Sequence, residues 1–312
     1  MKIGLDIMGG DYAPKAPVLG AIAAHNALSA GQEVVLIGDK EQTVSLLKEN
    51  NFDPEKFSYV HTTEVIGMGE HPTKAIVQKP DSSISVGFKM LKEGSIDAFC
   101  SAGNSGAMLV GAMFSVKAIP GVARPAITSI MPKLEEGLGI LVDVGANADC
   151  KPEYLVQFGV FGSLFAQYVY NIPNPRVALV NIGEEEEKGN LLCQAAYPLM
   201  KESGQFNFVG NAEGRDMFSG MADVFVTDGF TGNVMLKFAE SFYTISRKKK
   251  IKDDFFDKFN YEQYGGSPIL GVNAPVVVGH GISNAEAIKN MVLLCRDMVQ
   301  TALTEKIKLA FQ

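Results

Sequence analysis

Short apolar runs rich in β-branched residues alternate with longer segments of helical periodicity along almost the whole chain. That alternation leaves few folds open. Strands are expected at Ile3–Ile7, Val34–Ile37, Ile96–Cys100, Ile140–Asp143, Val177–Asn181, Phe206–Val209, Val224–Thr227 and Val276–Val278. Helices are expected at Lys15–Ala30, Gln42–Asn50, Ser82–Lys92, Ser105–Lys117, Pro152–Tyr170, Asn190–Ser203, Thr231–Arg247 and Ala285–Leu309. Strands separated by helices pair in parallel and are covered on both faces, so the pattern predicts a three-layer α/β/α fold around a mostly parallel sheet. The segment Ala126–Ile140 breaks the rhythm: runs at Ile127–Met131 and Gly139–Val142 flank Pro132–Gly137, which predicts an antiparallel hairpin on a small side arm. With no internal repeat or long linker, residues 1–312 read as a single domain that can divide into two lobes around a central cleft.

Composition narrows the function classes. An apolar share of 46%, with 32 glycines and 20% charged residues, supplies a substantial core. A formal charge of −7 argues against wholesale nucleic-acid binding, which requires a basic footprint. Cys100, Cys150, Cys193 and Cys295 are far apart and contain no Cys-x-x-Cys pair, as expected of reduced cytosolic thiols used as core filler. Asp6 interrupts the apolar start, so a secretory signal is not expected. Residues Tyr154–Pro175 carry no formal charge, but Gln157, Ser163, Gln167 and Asn171 recur through them, which reads as a buried helix rather than a membrane span.

In open α/β sheets, ligands bind at the carboxyl ends of the strands. Five polar clusters fall there: Met8-Gly9-Gly10-Asp11, Ser101–Gly106, Asp143–Asn147, Asn181–Lys188 and Asp228–Asn233. Gly103 and Gly106 bracket Asn104-Ser105 where a strand gives way to a helix, an arrangement that can aim N–H groups at an anion or simply cap the helix. Asp228-Gly229-Phe230-Thr231-Gly232-Asn233 repeats the design, and Asp143-Val144-Gly145-Ala146-Asn147 is a third version. In Gly183–Gly189, four consecutive glutamates precede Lys188, whose ammonium is expected to pair with these acids until an anionic ligand displaces them.

Other chemistries are less well supported. No Gly-x-x-x-x-Gly-Lys-Ser/Thr occurs, Gly67-Met68-Gly69 lacks the third glycine of a dinucleotide fingerprint, and His25, His61, His71 and His280 show no metal-ligand spacing. Gly103-Asn104-Ser105-Gly106-Ala107 approaches a nucleophile elbow, and Ser105, Asp228 and His280 follow the chain order of α/β-hydrolase triads, but Ala107 stands where the elbow has glycine. A serine hydrolase or thioesterase is therefore the competing enzyme class, and a non-catalytic scaffold the third reading.

Taken in order, these clusters resemble the bacterial fatty acid/phospholipid synthesis protein family PlsX, the phosphate acyltransferases. The resemblance rests on Met8–Asp11, Ser101–Ala107, Arg124-Pro125-Ala126, Leu141–Asn147, Asn181–Glu185, Lys188-Gly189, Gly210–Asp216, Thr227–Lys237, Tyr264-Gly265-Gly266 and His280-Gly281. It implies a fold similar to the isocitrate/isopropylmalate dehydrogenase and phosphotransacetylase group, a homodimer, and no cofactor or metal. It also implies transfer of a long-chain acyl group from acyl carrier protein to inorganic phosphate, feeding phospholipid synthesis in the cytoplasm, with peripheral contact at the inner face of the membrane as a variant.

That reaction suits the residues. Phosphate is anionic near neutral pH and can attack a thioester without a protein nucleophile, so the site has mainly to place it. Lys188, Asp228 and Asn104 are the catalytic candidates. Gly9, Gly10, Asp11, Ser101, Gly103, Ser105, Asn147, Asn181, Thr231, Asn233 and His280 are candidates for binding phosphate or substrate. Asn104, Asn181 or Asn233 could donate to the oxyanion of the tetrahedral intermediate. The acyl carrier is acidic, and Arg247-Lys248-Lys249-Lys250 form the dense positive run expected of a docking patch. The following stretch, Lys248–Lys258, is shorter and more charged than in many relatives, and Phe255, Phe256 and Phe259 in and beside it are expected to pack down rather than meet a membrane.

Overall fold

Successive strand residues point to opposite faces, so a strand that is apolar at every position must be covered on both sides. The computed structural model describes residues 1–312 apart from the side chain of Tyr261, and shows such strands throughout. In chain order they are β1 (Lys2–Asp6), β2 (Glu33–Gly38), β3 (Ser58–His61), β4 (Ala98–Ser101), β5 (Ala126–Pro132), β6 (Leu138–Val142), β7 (Arg176–Val180), β8 (Asn207–Ala212), β9 (Val224–Val226), β10 (Ser267–Leu270) and β11 (Val276–Val278). The helices are α1 (Lys15–Ala27), α2 (Lys40–Glu49), α3 (Pro72–Gln78), α4 (Ser83–Lys92), α5 (Ser105–Gly111), α6 (Pro152–Val169), α7 (Leu191–Glu202), α8 (Gly229–Lys249), α9 (Asp254–Asp257), α10 (Ala285–Gln300) and α11 (Leu303–Ala310). The chain divides into two units, Met1–Ala118 with Tyr261–Gln300, and Ile119–Asn260 with Thr301–Gln312.

In the first unit the strand order is β3-β2-β1-β4-β11-β10, parallel except for the β10–β11 pair. Neighbouring residues of β4 show the two covered faces. Phe99 packs edge-on against Phe88 of α4, with ring centroids 5.1 Å apart. Cys100 turns the other way, toward Cys295 of α10. Both thiols are free and buried.

In the second unit the order is β5-β6-β9-β7-β8, with β5 and β6 antiparallel and the rest parallel. Val142 of β6 lies under Gly162 of α6, where a Cβ would come within 3.2 Å of it. Its neighbour Leu141 joins Phe225, Leu236 and Ala239 in the cluster beneath α8. Phe255 and Phe259 add to that cluster, their rings perpendicular at 5.0 Å, and Phe259 also meets Phe218 and Phe242 edge-on. These two phenylalanines therefore pack down as expected.

At the amino-terminal strand ends of this unit, Asp223 receives the Lys133 ammonium at 2.6 Å and the Arg176 guanidinium at 3.1 Å. Burial alone would raise this carboxyl, but the hydrogen bonds from Arg176 and Lys133 outweigh it and hold the pKa at about 2.

Four features differ from the sequence-based expectation. The hairpin forms, but β6 pairs in parallel with β9, from Ile140↔Val224 to Val142↔Val226, so it belongs to the main sheet and not to a side arm. The expected helix Ala285–Leu309 is two helices, because Ala302 takes a left-handed conformation (φ 51°) that ends one and starts the next. Strands β3 and β10 were not anticipated: one carries Ser and His among its four residues, and the other contains a proline. Helix α3 was hidden by its short length. Among the described residues, no helix is long and apolar enough to cross a membrane.

Candidate functional site

Each unit carries its polar clusters at the carboxyl ends of its strands, and each is organised by a buried aspartate that ends the run of a central strand. In the first unit that residue is Asp6, the last of β1. Its Oδ1 accepts from Met8 N–H at 2.9 Å and its Oδ2 from the Ser101 hydroxyl at 2.6 Å. The Ser101 oxygen in turn accepts from Gly103 N–H at 2.9 Å. Gly9 sits inside this knot: a Cβ there would fall 2.5 Å from Asp6 Oδ2 and 2.7 Å from Ser101 Oγ, so no larger residue fits. Burial raises the Asp6 carboxyl above its ordinary range, against the hydrogen bonds of Ser101 and Ser83. Gly10 has φ +101°, and the next residue, Asp11, donates its N–H to Gly281 O at 2.7 Å, tying the first loop to the His280-Gly281 turn.

This network assigns several expected ligand residues to holding the loop. Ser101 and the N–H of Gly103 are spent within the knot. Asn104 caps α5 by accepting from Ala107 N–H at 3.0 Å, while its amide nitrogen donates to the carbonyls of Gly67, Met68 and Glu70 at 3.0–3.1 Å. An oxyanion donor needs an available N–H, and both of Asn104's are committed to the 67–70 loop. Asn104 is therefore a positioning residue here, in place of the catalytic role expected of it. Ser105 remains exposed at the first position of α5. Its backbone is not among those with positive φ, unlike the strained turn of a nucleophile elbow.

In the second unit the corresponding residue is Asp143, directly after β6. Its Oδ1 accepts main-chain N–H groups of Ile127 at 3.0 Å, Ala146 at 3.1 Å and Gly145 at 3.3 Å. Its Oδ2 accepts from Asn147 N–H at 2.7 Å and from the Asn147 amide at 2.9 Å. Burial nevertheless raises this carboxyl too. Asn147 also donates to Pro125 O and accepts from Gly229 N–H at 2.7 Å, which fixes the start of α8 against the loop. Both amide donors of Asn147 are thus engaged, so it too positions rather than binds. Gly232 allows the close approach: a Cβ there would collide with the Asp143 carbonyl. Asn233 completes the join by donating to Val144 O at 3.0 Å.

Asp228 caps α8, its Oδ1 accepting from Thr231 N–H and its Oδ2 from the Thr231 hydroxyl, both at 2.8 Å. A triad role would turn the Asp228 carboxylate toward an imidazole; here both of its oxygens serve Thr231. Asn190 caps α7 in the same manner, accepting from Cys193 N–H at 2.9 Å. Between these two helix starts opens a pocket of about 750 Å³. Asp149, Asn190, Asp228 and Thr231 supply its polar part. Ala148, Cys150, Leu191, Leu192 and Phe230 supply the rest. Burial, then the charges of Asp143 and others, pushes the Cys150 thiol up to about 12, so it stays protonated and poorly nucleophilic.

The loop from β7 to α7 leads into this pocket. Asn181 pins it by donating to Lys188 O at 3.1 Å and accepting from Ile182 N–H at 2.9 Å. Asn211 pins it from β8, donating to Glu185 O at 2.8 Å. Two of the four glutamates face other cations: Glu186 pairs with Lys201, and Glu184 lies 3.9 Å from Arg215. Lys188 is exposed, and among the described residues no ion pair forms at its ammonium, contrary to the pairing expected from sequence. An unpaired cation two residues before Asn190 is thus held at a pinned loop beside the pocket.

The basic run at the end of α8 is also redistributed. Arg247 folds back onto Asp257 at 3.3 Å and over the Tyr243 ring at 4.9 Å, so it belongs to its own unit. Lys248, Lys249 and Lys250 are exposed. Among the described residues, no three His, Cys, Asp or Glu side chains gather as a metal site. Of the two buried aspartates, Asp6 lay outside the expected clusters and Asp143 inside one, and neither was expected to organise its loop. The signal was present, since each is an acid ending an apolar strand before a glycine-containing loop, but that pattern also marks a simple turn.

Residues 1–306 match the family described as fatty acid synthesis protein. Proteins named phosphate acyltransferase from Dictyoglomus turgidum (42% identical, spanning 98% of this chain and 96% of that one) and Desulforamulus reducens (43%, 99% and 96%) are similar over nearly their full lengths. In three dimensions the chain resembles the EutD phosphotransacetylase of Staphylococcus aureus (TM-score 0.65, 16% identity, 96% and 94% covered) and a phosphotransacetylase of Streptococcus pyogenes (0.66, 16%, 96% and 94%). At such identity these two show the fold, which is the phosphotransacetylase-like α/β fold expected from the sequence. The extent and identity of the sequence matches go further: the chain belongs to the fatty acid synthesis protein family, to which curated acyltransferases named phosphate acyltransferase are its close relatives.

Proposed function

We propose that the protein transfers a long-chain acyl group from acyl carrier protein to inorganic phosphate, forming an acyl phosphate that feeds phospholipid synthesis. The observation that carries this reading is the unpaired Lys188 ammonium on a pinned loop beside the pocket of the second unit. Lys188 is the proposed phosphate ligand, with Asp228 and Thr231 presenting the polar edge against which the thioester carbonyl is placed. A phosphate oxygen attacks the carbonyl carbon, the tetrahedral intermediate collapses, and the carrier's thiolate leaves to take up a proton. No protein nucleophile is required, which agrees with the protonated state of Cys150. The remaining amide protons of Asn181 and Asn233 are the proposed donors to the oxyanion. Lys248, Lys249 and Lys250 are the proposed contact for the acidic carrier, an attraction that weakens with salt.

Thiol release from acyl carrier protein, measured with and without phosphate, tests the reading. Release should require phosphate and leave acyl phosphate as product. Phosphate-independent release, with covalent labelling of Ser105 by a fluorophosphonate, would replace it with hydrolysis.

A further inference from the structure

The side chains that line the pocket between the starts of α7 and α8 offer an anion no cation. Among its described lining residues there is no lysine or arginine, while Asp149 and Asp228 contribute two carboxylates. A phosphate dianion drawn inside would meet like charge, while the cations nearest in sequence, Lys151 after Cys150 and Lys188 before Asn190, stand outside its lining. Its remaining surface has the opposite character. Leu191 is 85% exposed and Phe230 65% exposed, and both line the pocket beside Ala148 and Leu192. Large apolar side chains left open in this way, around a cavity of about 750 Å³ with a polar edge, match a ligand that is apolar along most of its length.

The geometry points to this pocket as the acyl-chain subsite, in which Leu191 and Phe230 set the preference for chain length while phosphate stays outside at Lys188. The inference rests on the acyl-transfer reading for the identity of the chain. Its physical content is separate: one wall of unit 2 recognises alkyl length, and the cation that recognises phosphate stands on the loop beside it. Each methylene fully removed from water multiplies affinity by about four, so even partial burial makes a long chain bind much more tightly than a short one.

The test uses the full chain and two non-cleavable probes, hexadecyl- and octyl-pantetheine thioethers, with inorganic phosphate as the third titrant. Calorimetry on wild type should show the hexadecyl probe binding at least about tenfold more tightly than the octyl probe, since a few additional buried methylenes suffice. In Phe230→Ala and in Leu191→Ala that ratio should fall several-fold, and in the double variant it should approach one, while the phosphate affinity stays within about twofold. Both side chains are exposed, so the variants should melt as wild type does. A length ratio that survives in the double variant overturns the proposal, as does loss of phosphate binding in either single variant. A changed oligomeric state with an unchanged length ratio assigns the face to a contact between copies and overturns it as well. Phosphate-dependent thiol release by wild type separates the two ideas: release without an effect of the variants on length keeps the acyl-transfer reading and removes the subsite. Length-selective binding without release does the reverse.

Discussion

The two units solve one problem, anchoring a glycine-bearing loop at the end of a buried strand, with different donors. Around Asp6 the partners are the hydroxyls of Ser101 and Ser83 and the main-chain N–H groups of Met8 and Gly9, with Ser101 relaying to Gly103. Around Asp143 they are the main-chain N–H groups of Ile127, Gly145, Ala146 and Asn147, plus the Asn147 amide. A hydroxyl can rotate to another acceptor when its partner is lost; a main-chain N–H cannot move without the backbone. The first loop is therefore held by a network that can readjust, and the second by one rigid hub. The second unit also carries Lys188, without an ion pair among the described residues, and a pocket lined from its loops and helix starts.

The sharpest way to break the comparison is to remove each hub. A buried N–H left without an acceptor costs about 1–3 kcal/mol. Asp143→Ala should therefore destabilise the protein by about 4 kcal/mol or more and abolish activity, as read by denaturant unfolding. Asp6→Ala should cost about half as much, because Ser101 can turn to another acceptor. Equal losses would show that the distinction between rotatable and fixed donors is irrelevant here.

A second expected effect concerns the free cation. Lys188→Ala should lower phosphate-dependent turnover about a hundredfold, a loss of about 2.7 kcal/mol of transition-state stabilisation. Its melting temperature should not change, since the side chain is exposed and makes no ion pair among the described residues. Turnover near that of wild type would remove Lys188 from the mechanism.

A smaller effect separates the site end of the second unit from its base. Asp223 ionises in the folded protein at about 2, against an ordinary value of 3.8. Its folded value is depressed, so the carboxylate contributes stability that is fully present above about pH 4 and is lost as pH falls through about 2. Asp223→Asn should flatten unfolding free energy against pH across that window while leaving the pH profile of turnover unchanged. A shift in the turnover profile would show that the base and the site are coupled.

Much of the architecture was legible because it depends on local patterns. The β-branched runs at Ile3–Ile7 and Val177–Asn181 and the helical period of Pro152–Tyr170 determine element type whatever lies around them, and β1, β7 and α6 follow. The same holds for the strand-end positions of Gly9, Ser101, Asp143 and Asp228. Elements with weak local signals were not legible: β3 carries Ser and His and β10 a proline in place of an apolar run, and the break at Ala302 depends on a backbone conformation that alanine rarely adopts.

The sequence by itself determined the α/β class, the sites of the polar loops and the family. Tertiary structure decided which polar groups remain available. Asn104 and Lys188 both read as ligands in one dimension, because residue type reveals what a side chain can donate but not what already accepts it. The acceptors of Asn104 lie more than thirty residues away, at Gly67, Met68 and Glu70, and the acids adjacent to Lys188 bind Lys201 and approach Arg215 instead. Hydrogen bonds and ion pairs saturate, and only the folded chain shows which are already filled.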